Sequence, residues 1–291
     1  MAQRTAVIAD STCYLPAGWA GEHVIGIVPV QVIVAGQAFD ETEDVQAQRV
    51  ADALRDWHPV TTSRPSPVRF LQAYEWAAES GATEIVVATL SSAMSATYES
   101  AVLAAKECDL PVHVVDTRTI AMGFGFAVID GATAAARGAY ADDVAAIIEH
   151  RSRASSVYFY VDTLEYLRRG GRVSAARAAV GQALKVKPLL QVIDGHVTSL
   201  EQVRTAGRAL GRLEDLAVTA AGDGDVDVAV QHLASPERSA ALAMNLRSRL
   251  PLADVVECPV GGVVGAHVGP GMVAVVVAPR SSSSTVADST P

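Results

Sequence analysis

The chain is poor in aromatic residues and cysteine, and it has no excess of positive charge. Phe, Trp and Tyr make up only 5% of its 291 residues, yet 50% of the sequence is hydrophobic. Its core must therefore be assembled from Val, Ala, Leu and Ile, an aliphatic filling common in α/β proteins. A formal net charge of −9 argues against the basic face that a nucleic-acid partner requires, while leaving room for a local patch that touches a membrane surface transiently. Cys13, Cys108 and Cys258 are far apart and lack paired ligand spacing, so buried free thiols are expected instead of a disulfide or metal site. No uncharged apolar run reaches the roughly 18 residues of a membrane span without Gly or Pro breaking it. The N-terminus runs straight into the strand-like "TAVIAD", leaving no room for a signal peptide, and a soluble cytoplasmic protein is expected. Also absent are a P-loop, HExxH, GxSxG and CxxC.

What is present is a rhythm. "TAVIAD", "VIGIVPVQVIV", "EIVVATL" and "VHVVD" read as strands, alternating with helices over about 45–57, 66–79, 95–107 and 121–137. Such alternation implies parallel strands joined by crossover helices, with ligand sites at the strands' carboxyl ends. Beyond Tyr140 the pattern changes. "PLLQVIDGHVTSLEQV" reads as two strands about an Asp194–Gly195 turn, and "DVDVAVQHL", "ADVVECPV" and "GMVAVVVA" supply further strands, with helices near 206–221 and 236–249. The fold class is thus α/β in two domains. Residues 1–140 form a largely parallel sheet with flanking helices, and 141–279 a mixed sheet with helices. The polar, low-complexity tail 280–291 is expected to be disordered.

Several stretches carry candidate chemistry. In "TLSSAMSATYESA", Ser91, Ser92, Ser95 and Thr97 crowd the handover from strand to helix. N-capping accounts for one or two of these hydroxyls; the rest, beside free N–H groups, make an anion seat. "PVTTSRPSP" places Thr61, Thr62 and Ser63 on a Pro-stiffened loop before the next helix, on the same rim if both strands share a parallel sheet. "GGVVGAHVGPG" sets His267 between Gly-rich turns at the mouth of an apolar strand; a structural histidine is the commoner case, a carboxylate partner the sharper one. The string lacks the strand–turn–helix context of a dinucleotide fingerprint. Arg168, Arg169 and Arg172 in "YLRRGGRVS" make a solvated basic turn or a phosphate-recognition site. Asp10, after the first strand, reads as a cap or loop brace. With no carboxylate evident to orient His267, the set suits binding better than hydrolysis.

Taken in order, "ADSTCYLP", "TTSRPSP", "LSSAMSATYESA", "VVDTRTIAMGFG" with "LEYLRRGGRVS", and "AHVGPGMVAVV" resemble the successive signatures of the DegV family across nearly the whole chain. The resemblance implies a fatty-acid-binding protein of two α/β domains, with the acyl chain enclosed at and near their interface. It also implies the acyl-carrying subunit of a fatty acid kinase, whose separate ATP-dependent partner forms the acyl phosphate. No cofactor is implied beyond the bound long-chain fatty acid, and no turnover by this chain alone. The carboxylate would be held by Thr62, Ser92 and His267, with Ser63, Ser91, Arg64 and Gly269 as further ligand or rim residues. Arg172 and Arg204 would face the kinase or an anionic surface. Arg64 and Ala96 stand where the family usually has Gln and Gly. Two alternatives remain: an acyl hydrolase with Ser92 as nucleophile and His267 as base, and a lipid-sensing regulator. Ile27, Val30, Phe124 and Phe126 are the side chains expected to shape the tunnel.

Overall fold

The computed structural model describes residues 4–41, 45–172 and 186–280. The first half runs β1 (Thr5–Asp10), a 3-10 turn (Ser11–Cys13), α1 (Trp19–Glu22), β2 (Ile25–Val28), β3 (Gln31–Val34), β4 (Gln37–Asp40), α2 (Val45–Arg55), β5 (Val60–Ser63), α3 (Pro67–Glu79), β6 (Glu84–Thr89), α4 (Thr97–Ala105), β7 (Val112–Asp116), α5 (Met122–Ala136) and α6 (Ala141–Ala154). The second half comprises β8 (Ser156–Tyr160), α7 (Glu165–Gly170), β9 (Lys187–Ile193), β10 (His196–Val203), α8 (Ala206–Ala221), β11 (Val226–His232), α9 (Pro236–Arg249), β12 (Asp254–Pro259), α10 (Gly262–Val268) and β13 (Val273–Pro279).

The expected parallel sheet is there, in the order β2-β1-β6-β7. Its central strands are nearly continuous aliphatic runs, as strands covered on both faces must be. α5 and α6 pack one face, through Phe124, Val128, Val144 and Ile148. α3 and α4 pack the other, through Phe70, Tyr74, Ala101 and Ala104. α6 therefore belongs with the first sheet, and the division expected at Tyr140 would cut this helix from the surface it buries. The second sheet begins only with β8.

That second sheet is mixed, in the order β10-β9-β8-β13-β11-β12, and only β11 and β12 run parallel in it. Along β11 the side chains alternate. Val226, Val228 and Val230 join the apolar layer under α8 and α9. Ala229 faces the opposite way, with Val157 and Val276, against Met122 and Phe126 of α5. One face of this sheet is thus turned toward the N-terminal half. Arg280, counted with the disordered tail, is instead tied to Asp225, Asp227 and Asp254; residues 281–291 lie outside the described residues.

Three further expectations change. "VIGIVPVQVIV" is not one strand. It breaks at Pro29, which has no N–H for a ladder, and β3 leaves to form an antiparallel sheet, β4-β3-β5. The β3–β4 turn, Ala35 and Gly36, has positive φ at both positions, as a two-residue hairpin demands. Consequently Thr61, Thr62 and Ser63 lie on strand β5, paired with Ile33, Val32 and Gln31, and not on a loop. "GVVGAHV" forms the helix α10, where Gly-rich turns were expected. Among the described residues, no helix is long and apolar enough to cross a membrane.

Candidate functional site

A cavity enters the molecule between the two halves. Its empty space is about 900 Å³, open mouth included, and its wall is mostly Val, Leu, Ile, Ala, Met and Phe. The face of the second sheet turned toward the N-terminal half supplies Val157, Phe159, Val197 and Ala274; the first half supplies Val30, Leu90, Met94 and Ala121; α10 supplies Val263, Val264 and Val268. Of the side chains expected to shape it, only Val30 does so. Phe124 and Phe126 are core residues against α6 and the second sheet, and Ile27 is 39% exposed.

Polar residues gather where the cavity opens. Thr62 on β5 and His267 on α10, separated by 205 positions, meet with Thr62 Oγ1 at 2.9 Å from His267 Nε2. Burial pushes the His267 pKa down to about 4, helped by the nearby Arg172 guanidinium, so the ring is neutral at physiological pH. Its other nitrogen, Nδ1, is buried and has no partner among the described residues. When Nε2 carries the proton and donates to Thr62, the threonine's own O–H is free to donate into the cavity.

The serine loop is arranged differently from expectation. Ser92 is not on the cavity wall. Its hydroxyl donates to Asp116 Oδ2 at 2.5 Å and its N–H to Oδ1 at 3.1 Å, so it braces the ends of β6 and β7. Ser91 is buried and donates to the Gly195 carbonyl of the β9–β10 turn at 2.8 Å, joining the two halves. The hydroxyl of this loop that lies on the wall is that of Ser95, 2.8 Å from Thr97 Oγ1.

Charge is present at the mouth too, from Arg64, named above as a rim residue, and from Arg172. Ser63, Arg64 and Arg172 line it, and both guanidiniums are exposed. Arg172 Nε donates to the Met94 carbonyl and Arg64 Nη1 to that of Ala96, the residues on either side of Ser95 in the chain. Arg204, past the end of β10, is exposed and away from the cavity wall. Gly269 is no ligand residue either. Its φ is +76°, and a Cβ there would lie 2.1 Å from the Tyr166 ring, so glycine lets α10 end against α7. Gly170 is similar, because a Cβ on it would lie 2.1 Å from His267 Nδ1. The basic turn and the histidine motif are thus in contact.

What fixes α10 is a buried carboxylate that sequence reasoning passed over. Glu41 accepts from Tyr14 Oη at 3.0 Å, Ser11 Oγ at 2.7 Å and the Val263 N–H at 2.8 Å. Burial raises its pKa to about 7 against the pull of these donors. Tyr14 Oη in turn accepts the Val264 N–H. Asp10 is a brace, as expected: it accepts from Thr12 and from the Leu90 N–H at 2.7 Å, tying β1 to β6.

This architecture has relatives. The family model described as "Uncharacterised protein, DegV family" matches residues 4–280. The chain belongs to the DegV family. A DegV domain-containing protein of Streptomyces coelicolor is 48% identical over 281 residues, covering 96% of this chain and 100% of that one. Among solved structures, a DegV family protein from Thermus thermophilus described by its fatty acid binding superposes with TM-score 0.89 at 29% identity. DegV of Bacillus subtilis, described as a fatty acid binding protein, does so with TM-score 0.87 at 27% identity. Each comparison spans 96% of this chain and 100% of the other.

Proposed function

We propose that this chain binds a long-chain fatty acid, with the carboxylate at the cavity mouth and the hydrocarbon tail inside. One observation carries the reading: an apolar cavity between the halves, with Thr62, Ser95, His267, Arg64 and Arg172 collected at its opening. Each buried methylene contributes about 0.8 kcal/mol before ordering costs, so the tail supplies the affinity. The head needs only hydrogen-bonding partners, which Thr62 and Ser95 offer, while the two guanidiniums complement its charge. The relatives from Thermus and Bacillus, described as fatty acid binders, support the same ligand class.

The placement of the head also supports a carrier role in the cytoplasm, with no cofactor and no turnover by this chain alone. A carboxylate held at the surface can attack the γ-phosphorus of ATP on a separate kinase, releasing ADP and leaving an acyl phosphate on the carrier. The exposed Arg64, Arg172 and Arg204 would face that partner or, transiently, a membrane surface. The hydrolase alternative gains nothing from the geometry. Ser92 is bonded to Asp116 and His267 to Thr62, and no carboxylate orients Nδ1.

Native mass spectrometry of gently purified protein tests the ligand. A mass increment matching a fatty acid of about sixteen to eighteen carbons is expected. Protein that carries no lipid, and that takes none up from added stearate or oleate, would overturn the reading.

A further inference from the structure

The cavity wall has one polar side chain away from its mouth. Gln231, on β11, is fully buried yet lines the cavity among valines and a methionine. β11 alternates, and position 231 falls on the face turned toward the N-terminal half, with Ala229. An aliphatic residue there would continue the wall, so an amide has to be explained.

Its hydrogen bonds fix which way it is turned. The Met122 N–H donates to Gln231 Oε1 at 3.1 Å, and only an oxygen can accept that bond. The amide nitrogen is therefore the group beside Cys258, 3.4 Å from Sγ. That thiol donates onward to the Tyr14 carbonyl. An amide nitrogen carries two N–H bonds. One meets sulfur, a weak acceptor, and among the described residues the other has no acceptor. A saturated hydrocarbon tail leaves it so, and an unmade hydrogen bond on a buried donor is costly.

We propose that Gln231 is a specificity-determining residue, which favours acyl chains carrying an oxygen acceptor along the chain over plain hydrocarbon tails. This rests on the fatty-acid reading above and deepens it. With the carboxylate at the mouth, the part of the chain that reaches Gln231 lies beyond the head, so the feature read there is a substituent on the tail. The amide offers N–H, while its oxygen is turned to Met122. An acceptor-only group, such as a ketone or epoxide oxygen, satisfies it completely. A hydroxyl satisfies it too but brings a proton of its own that finds no acceptor, so it ranks lower. A site built to hydrogen-bond a substituent discriminates against the analogue lacking it, because its own polar group is then left unpaired.

The experiment is displacement of a fluorescent fatty acid from delipidated wild-type protein by stearate, oleate, and oxo- and hydroxystearates with the oxygen stepped from mid-chain toward the tail. One oxostearate isomer is expected to bind about five-fold more tightly than stearate, with the matching hydroxystearate between them. Gln231→Leu should bind stearate more tightly than wild type does and lose the preference for the oxo isomer. Stearate binding as tightly as every oxygenated isomer in the wild type overturns the proposal, and that series decides it even if the variant does not fold. A preference that persists undiminished in a folded Gln231→Leu also overturns it. Failure of every fatty acid to displace the probe would instead overturn the underlying reading.

Discussion

Thr62→Val is the most discriminating perturbation of the head site. Valine closely matches threonine in size, so the change removes one hydroxyl and little else. In the structure that hydroxyl is the partner of His267 Nε2 at 2.9 Å, and under the proposed reading its own proton is donated to the fatty-acid carboxylate. A hydrogen bond to a charged group contributes about 1.5–3 kcal/mol, which corresponds to about a ten- to hundred-fold weaker Kd for the fatty acid. Loss of the same hydroxyl leaves His267 with no protein partner on either nitrogen, since Nδ1 already has none. The assay is displacement of a fluorescent fatty acid by stearate and, in parallel, by octadecanol. The alcohol has the same tail and no carboxylate, so its affinity should change less than about three-fold, a neutral hydrogen bond being the weaker one. Stearate binding to the variant within two-fold of wild type would refute the assignment of Thr62. Equal losses for acid and alcohol would refute the argument that the carboxylate is what it holds.

Three other variants separate binding from support. Ser92→Ala removes the donor to Asp116 and should cost about 1–2 kcal/mol in urea unfolding with fatty-acid affinity unchanged, whereas Ser95→Ala should weaken binding about ten-fold; the opposite ranking in binding would return Ser92 to the ligand. Gly269→Ala puts a Cβ into the Tyr166 ring at a φ of +76° and should destabilise the protein by about 2 kcal/mol or more, so a variant as stable as wild type would refute the close approach. Glu41, raised from 4.5 to about 7 by burial, gives stability that is fully present below pH 4.5 and is lost as pH rises through about 7. The non-titrating Glu41→Gln should therefore gain on wild type in unfolding free energy between pH 4.5 and 7.5, and a pH-independent difference would refute that.

Strands and helices were legible wherever the apolar period is long and unbroken, as in β6, α8 and β13. The site was legible in part. Thr62 and His267 were named from motifs ordered along the chain, and the structure brings the two side chains together, but their setting was not legible. β5 has two threonines and a serine where a strand normally shows alternation, and its partner β3 lies about 30 positions earlier in the chain, with Thr62 opposite Val32. α10 contains two glycines, Gly262 and Gly265, that lower helix propensity. It forms because tertiary contacts override that preference. A Cβ on the preceding Gly261 would sit 2.3 Å from Glu41 Oε1, and one on Gly265 would sit 3.1 Å from Leu233. The choice of Ser92 over Ser95 failed for a different reason. Both precede a helix and both are half-buried, and only the distant Asp116 decides which hydroxyl is occupied.

The joint between the halves explains why these residues have to be placed by packing and not by local sequence. Thr62 reaches the mouth on a strand of the first half and His267 on a helix of the second, so their 2.9 Å contact is only as constant as the seating of α10. Glu41 provides that seating: one carboxylate holds Ser11, Tyr14 and the first backbone N–H groups of α10 together. Ser91 makes a second tie, to Gly195. Neither group touches the cavity, yet each sets the separation of the walls that line it. Such fasteners matter beside the residues on the wall, because a cavity formed between two halves keeps one shape only when the halves have one resting arrangement. Residues that hold that arrangement shape the cavity as much as the side chains that line it.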